Sequence, residues 1–452
     1  MSPRVLTAAA VLTAALAGRA SAQYPPPGSG ATPGGFPTAP GDNPYFGAPT
    51  PPAFAPPPSD YPIPVEEGTY VPGAVLATES PGVGGTRRGP RGWVGAEYLF
   101  YWTKDAPLPV AVATFGPNGS SGAQGVPGTR TAVGGMNFDY TNMSGVRVFG
   151  GYWVTDSEIL GIEGNAFWLP KRTTGTPRII GNDLLPTLAR PFFDTTTNTQ
   201  SSRVLTRPGA FIGSIRTDAT TEFWGGEIGP VWRAYDGGGR YTVDVLAGFK
   251  YLSLEESLSI SDTATAQPGG LAVFRGRVFS APASTTVTDQ INTTNRFYGG
   301  VIGLRTNLHV EAFQFSVTGK LGLGEMEETV RAVGSTTLSG GPNPRTTVPG
   351  GFFAVPGSQG EFKTSQFTVI PEVNANLAVQ VSSHLTISFG YSYLYVADVV
   401  RPGDQLNTRI NSTQLPTSQN FGARSSVGTA SPPLNSSSYW AQGFNLGLSI
   451  GY

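Results

Sequence analysis

A chain of 452 residues with a formal net charge of -1 carries no electrostatic footprint for nucleic acid. It contains no cysteine, which excludes disulfide stapling and thiolate metal sites together. Charged residues make up 13%, about half the usual share.

Met1 to Ala22 reads as a secretory signal. Arg4 supplies the positive start, Val5 to Ala17 is apolar and too short to span a bilayer, and Ala20-Ser21-Ala22 forms a small-residue cleavage site. No run of about 18 apolar residues follows it, so no transmembrane helix is expected. Residues 23–91 are poor in aliphatics and hold clusters such as Pro25-Pro26-Pro27 and Pro56-Pro57-Pro58. Proline lacks the donor a sheet ladder needs, so this segment is expected to be a disordered linker on the periplasmic side.

From Gly92 the pattern changes. Successive strand side chains point to opposite faces, so a half-buried strand alternates apolar and polar residues. Ten segments do so, each near the length a tilted barrel strand needs. They are Gly92–Trp102, Ser144–Trp153, Glu158–Trp168, Thr221–Tyr235, Arg240–Leu252, Asn295–Thr306, His309–Leu323, Gln366–Val381, Leu385–Asp398 and Trp440–Tyr452. In the fifth, Tyr241, Val243, Val245, Ala247, Phe249 and Tyr251 share one face, with Thr242, Asp244, Gly248 and Lys250 on the other. The tenth sets Phe444, Leu446, Leu448, Ile450 and Tyr452 against small and polar residues, and ends on an aromatic. Twelve strands are possible, because Leu254 to Ile260 and Thr329 to Val333 could extend strands or form extra ones.

The connections alternate long and short. Short ones fall at 154–156, 236–239, 307–308 and 382–384. Long ones fall at 103–142, 169–220, 253–294, 324–365 and 399–436. Outer-membrane barrels keep turns short on the periplasmic side and loops long on the outside. The expected fold is therefore all-β, a transmembrane antiparallel up-and-down β-barrel of about ten strands over residues 92–452.

Several stretches carry a family resemblance. They are WVGAEYLFYWTKDAPLP (93–109), VLAGFKYLSLE (245–255), NRFYGGVIG (295–303) and TGKLGLG (318–324). Pro371-Glu372-Val373, GYSYLYVADVVRPGDQ (390–405) and the end from Gly443 to Tyr452 complete the set. Together they resemble the type-seven beta-barrel porin family of diderm bacteria, over essentially Trp93 to Tyr452. The resemblance implies an outer-membrane barrel with a porin-like label. It brings no catalytic residues, and fold alone does not establish transport.

Nine ionisable residues fall on the inward face: Glu97, Arg147, Glu163, Glu227, Arg233, Asp244, Lys250, Lys320 and Glu372. They form either a charged lumen that sorts solutes by sign or a salt-bridge network that fills a narrow barrel. Eight strands leave room only for side chains and 16 to 18 leave an aqueous channel, so ten lies near the filled end. Arg401-Pro402-Gly403-Asp404 opens an outer loop. There Pro402-Gly403 is expected to shape a turn and Arg401 to pair with a carboxylate, with Lys104 and Asp105 at the same rim.

An enzyme is not expected. Barrel hydrolases need a histidine near the outer side, whereas His309 and His384 lie beside predicted periplasmic turns. His-Glu-x-x-His does not occur, and no cofactor or metal is implied. The expected role is a porin-like channel for small solutes. The alternative is a closed structural or adhesive barrel whose long outer loops bind partners. Other expected partners are outer-membrane lipid and the barrel-assembly machinery, the latter reading Leu446, Leu448, Ile450 and Tyr452.

Overall fold

The computed structural model describes residues 91–452, except 182–185, 239, 343, 426–427 and 429–430. The expected signal segment and all but the last residue of the expected linker lie outside the described residues.

Ten strands form the barrel wall. They are β1 (Gly92–Thr103), β2 (Asn142–Trp153), β3 (Leu160–Gly175), β4 (Phe211–Asp236) and β5 (Tyr241–Ala266). The second half comprises β6 (Ser284–Val310), β7 (Phe313–Ser339), β8 (Gly360–Gln380), β9 (Leu385–Val400) and β10 (Ser436–Gly451). Each pairs antiparallel with its sequence neighbour, and β10 closes the ring on β1, from Trp93 opposite Gly451 to Thr103 opposite Ala441. Closure leaves no edge strand in the ring, so backbone groups find partners across it, with β8 meeting β9 over Glu372–Gln380. The count of ten follows the alternation. Leu254–Ile260 and Thr329–Val333 add no strands but prolong β5 and β7.

The strands are not equally long. β1 and β2 have 12 residues each, whereas β4 to β7 have 26 or 27. At about 3.3 Å per residue, β5 runs roughly 85 Å, far more than a bilayer crossing requires. The segments read as loops at 253–294 and 324–365 are thus largely strand. The physical reason lies in β5 itself. Its outward residues are Tyr241, Val243, Val245, Ala247, Phe249 and Tyr251, and then Ser253, Glu255, Ser257, Ser259, Ser261, Thr263 and Thr265. The pleat keeps its phase while the outer surface changes from apolar to hydroxyl-rich. Inward residues change the opposite way, from Thr242 and Asp244 to Leu258, Ile260 and Ala264. Beyond Tyr251 the strand belongs to a water-facing sheet with a greasy inner side.

Aromatic side chains mark the change of surroundings. Trp224, Tyr251 and Tyr298 meet in sequence around the wall as tilted ring pairs, with centroids 5.1 and 5.2 Å apart. Nearer the short-turn end, Tyr235 meets Tyr241, and Tyr152, Trp232, Phe313 and Tyr452 are exposed. Between these rows the outward residues are apolar: Ile228, Phe249, Ile302, Leu321, Leu446 and Leu448. This is the lipid-facing band.

The prolonged strands and the long connections together build a head. A hairpin, Thr187–Asp194 with Thr199–Thr206, lies inside it and pairs with Ala113–Gly116, which pairs in turn with Arg130–Val133. Arg409–Ile410 adds a short parallel pairing to the hairpin. The first hairpin strand is buried almost throughout. Its apolar side chains join those of β5 to β7 in one cluster that includes Leu188, Phe192, Leu258, Ile260, Ile291 and Val330.

Candidate functional site

The interior of the wall holds all nine ionisable residues singled out from the sequence. Several pair across non-neighbouring strands, which is possible only through the lumen. Lys250 on β5 meets Glu372 on β8, and Lys320 on β7 meets Glu227 on β4. Lys250 also lies 3.1 Å from Glu227, so the four form one connected cluster. Glu163 on β3 takes two bonds from Arg305 on β6, at 2.6 and 2.8 Å. Arg147 pairs with Glu97 at 2.9 Å and donates to the Tyr101 hydroxyl at 3.1 Å. Nearest the short turns, Arg233 bridges Asp244 and Glu158, both at 3.2 Å.

Arg305 and Glu158 were not singled out. Arg305 sits in the alternating pattern of the sixth segment, so its phase could have revealed it. Glu158 reaches Arg233 from a turn, at a residue with φ of 53° that no alternation predicts.

These pairs neutralise one another, and they are covered. Directly beyond them, Leu99, Leu169, Phe223, Leu252, Phe297 and Ile370 form an apolar layer, each at most 2% exposed. The lumen cavity between the two layers is lined by Tyr101, Arg147, Phe223, Lys250 and Glu372, and measures about 20 Å3. That is room for about one water molecule.

A second constellation locks the head onto this layer. Arg401 is fully buried and grips Glu256 with two bonds of 2.6 and 2.8 Å. It also donates to the carbonyls of Asp105 and Lys104, at 2.5 and 3.3 Å. The sequence placed Arg401, Lys104 and Asp105 at an exposed rim. The structure corrects this for Arg401: it lies inside, because the loops on either side fold inward over it. Burial works against its charge, but the Glu256 carboxylate more than offsets this and raises its pKa. Burial, followed by Glu256, raises the neighbouring Tyr439 hydroxyl.

Adjacent contacts explain the VVRPGDQ run. Asn295 donates to the Val400 carbonyl at 3.0 Å and accepts from its N–H at 2.8 Å. A Cβ on Gly403 would collide with the Pro107 carbonyl, so only glycine allows this approach. The motif from β9 therefore meets the TKDAPLP stretch after β1, Asn295 of the NRFYGGVIG stretch and Glu256, the residue following VLAGFKYLSLE. The remaining motif residues Lys250, Lys320 and Glu372 meet in the ion cluster.

Higher in the head, Arg190 on the internal hairpin is fully buried. It reaches Asp262 on β5 at 2.8 Å and Asp289 on β6 at 2.9 Å. Its guanidinium lies over the Phe352 and Phe353 rings, 4.2 and 4.8 Å from their centroids. Asp289 also accepts from the N–H groups of Phe352, Phe353 and Ala354. Nothing in local sequence pattern links these residues, which come from four separate segments.

His309 lies in β6 near its short-turn end, and His384 lies in the turn before β9, with Nδ1 2.8 Å from the Ser383 hydroxyl. Among the described residues no group of three His, Cys, Asp or Glu is placed to hold a metal ion. Leu446, Leu448, Ile450 and Tyr452 face outward and are 54% to 69% exposed.

No curated protein is detectably similar to the chain in sequence. Solved structures of outer-membrane proteins align at low identity, three of them as follows. Outer membrane protease OmpT from Escherichia coli is 8% identical over 80% of this chain and 96% of its own, with a TM-score of 0.34. A Pseudomonas aeruginosa FadL homologue is 8% identical over 80% and 89%, with a TM-score of 0.21. An anion-selective porin from Comamonas acidovorans is 7% identical over 79% and 100%, with a TM-score of 0.15. At these scores the likenesses carry no argument about chemistry. The family model described as Putative beta barrel porin-7 matches residues 93–452.

Proposed function

The chain belongs to this beta barrel porin-7 family, and from that premise we propose that it acts as a closed outer-membrane barrel presenting a rigid outer head. The observation that carries this reading is the apolar layer across the lumen. A conducting path must be continuously wettable, and a ring of buried Leu, Phe and Ile side chains dewets it. The neutralised ion cluster below and the clamped loops above support the same reading. On it, the nine inward residues are packing and pairing groups, not a filter or a catalytic set.

Single-channel recording of the refolded protein in a planar bilayer tests this. A folded, protease-resistant barrel with no discrete current steps is expected. Stable unitary openings from the wild-type chain would overturn it.

Passage of small solutes is the second reading. It is favoured by Glu163 and Arg305, whose side chains remain 20% and 24% exposed within the barrel. It requires the apolar layer and the Arg401–Glu256 lock to move. On either reading, the N-terminal linker lies in the periplasm and the barrel-assembly machinery recognises the β10 end. Deleting Tyr452 should then lower the amount of barrel inserted in the membrane, and unchanged levels would remove this role.

A further inference from the structure

Directly above the aromatic row, the outward faces of β6, β7 and β8 carry opposite charges side by side. Across the sheet, Tyr298 pairs with Glu325 and Glu325 with Phe367. One pleat further out, Arg296 pairs with Glu327 and Glu327 with Ser365, and beyond them Thr329 pairs with Lys363. Tyr298, Glu325, Glu327, Lys363, Thr364 and Ser365 line an open cleft of about 540 Å3. Phe367, 69% exposed, lies at its lower margin.

We propose that this cleft binds a phosphoethanolamine headgroup of a membrane lipid, with the acyl chains lying down the apolar band beneath it. Its depth supports a lipid. Tyr298 and Phe367 belong to the last outward row above Leu323 and Val369, so the charges sit where headgroups meet the wall. Its charge pattern supports a zwitterion. Arg296 and Lys363 offer donors to a phosphate, while Glu325 and Glu327 accept from an ammonium two carbons away.

The groups are available. Among the described residues, Arg296, Glu325 and Glu327 form no ion pair. Lys363 pairs with Glu361 at 2.9 Å, with both side chains at least half exposed. Such surface pairs are worth little and exchange readily. A purely anionic headgroup would meet the two carboxylates unfavourably. A choline headgroup could enter, but its quaternary ammonium has no N–H to donate. The proposal rests on the barrel's place in a membrane and is independent of whether the lumen conducts.

Native mass spectrometry of the full-length detergent-solubilised protein would read it directly. Phosphatidylethanolamine, phosphatidylcholine and phosphatidylglycerol with identical chains would be titrated in turn. Phosphatidylethanolamine should be retained about tenfold better than the other two, the ratio set by one or two charge-assisted hydrogen bonds. The double variant Glu325→Gln/Glu327→Gln should lose that preference while phosphatidylcholine retention stays unchanged. Lys363→Met should weaken both zwitterionic lipids. Glu325 and Lys363 are exposed and Glu327 is half-buried, and a retained heat-dependent gel shift reports an intact barrel in each variant. Equal retention of all three lipids, or an unaltered preference in the double variant, would overturn the assignment. Displacement by soluble phosphoethanolamine at equal concentration would also overturn it, because the cleft would then take a free solute.

Discussion

The two halves of β5 obey one geometry and opposite chemistry. From Tyr241 to Tyr251 the strand is apolar outside and holds Asp244 and Lys250 inside. From Ser253 to Thr265 it is hydroxyl-rich outside and holds Leu258 and Ile260 inside. The difference shows that the solvent, not the backbone, decides which face is greasy. In lipid, the outer face dissolves in hydrocarbon and polar residues are left to fill a narrow interior. In water, the usual arrangement returns and the interior becomes a hydrophobic core. The charged residues differ accordingly. The lumen cluster keeps partial exposure at Glu163 and Arg305, whereas the Arg190 and Arg401 pairs are completely dry.

That contrast can be broken at its driest point. Arg190→Ala would leave buried Asp262 with Arg203 alone and buried Asp289 with backbone N–H donors but no cation, a loss of about 3–5 kcal/mol for a stripped buried pair. Proteolysis should then cut within 187–206 while the membrane barrel keeps its heat-dependent gel shift. A head as resistant as wild type would deny the pair its structural role.

The contrast is sharpened by placing one charge on each outer surface. Leu446→Lys enters the lipid-facing band and should cost about 2–4 kcal/mol in denaturant unfolding from vesicles. Ser259→Lys, on the same kind of outward position in the head, should stay within about 0.5 kcal/mol. Equal costs would mean that the assigned membrane boundary is wrong.

A smaller effect is expected at the clamp. Arg401→Lys keeps the charge but loses the two-pronged grip on Glu256, at about 1–2 kcal/mol. Hydrogen exchange should accelerate at Val400 and its neighbours without spreading to β5. Global acceleration would show that the clamp supports the whole head.

The smallest effect concerns acidity. Glu328 lies on β7 beyond exposed Glu325, outside the band. Burial raises its carboxyl above the ordinary 4.5, the Gln366 amide lowers it, and Asp398 raises it again. A carboxyl raised on folding stabilises the fold fully below its unfolded pKa. That contribution fades as pH climbs through the folded value. Stability of the head should therefore lose a small increment above about pH 4.5, and Glu328→Gln should flatten that part of the profile. An identical slope in the variant would assign it to other groups.

The lipid-facing half of each strand was legible because apolar residues recur every second position and short turns separate them. The upper halves were not. Ser257, Ser259, Ser261, Thr263 and Thr265 alternate with Leu258, Ile260, Asp262 and Ala264, and this pattern resembles a polar loop when strands are sought by their greasy outer face. The hairpin strand Thr187–Asp194 was hidden for another reason. It is covered on both faces, so it shows no alternation, and Pro191 interrupts it. Inward residues such as Lys250 and Glu372 could be placed by phase, while their pairing needed the closed ring. Arg401 was expected to meet a carboxylate, yet Glu256 lies 145 residues earlier and no spacing rule connects them.

The uninterrupted ladders of β5 to β7 also have a mechanical meaning. Partners run without a break from Ser284 opposite Ser339 to Val310 opposite Phe313, through head and membrane alike. A tug on the crown along the strands would load these hydrogen bonds together in shear instead of peeling them one by one. Along β5 to β7 the ladders do not break at the membrane surface, so a force on the crown along these strands is carried straight into the anchor.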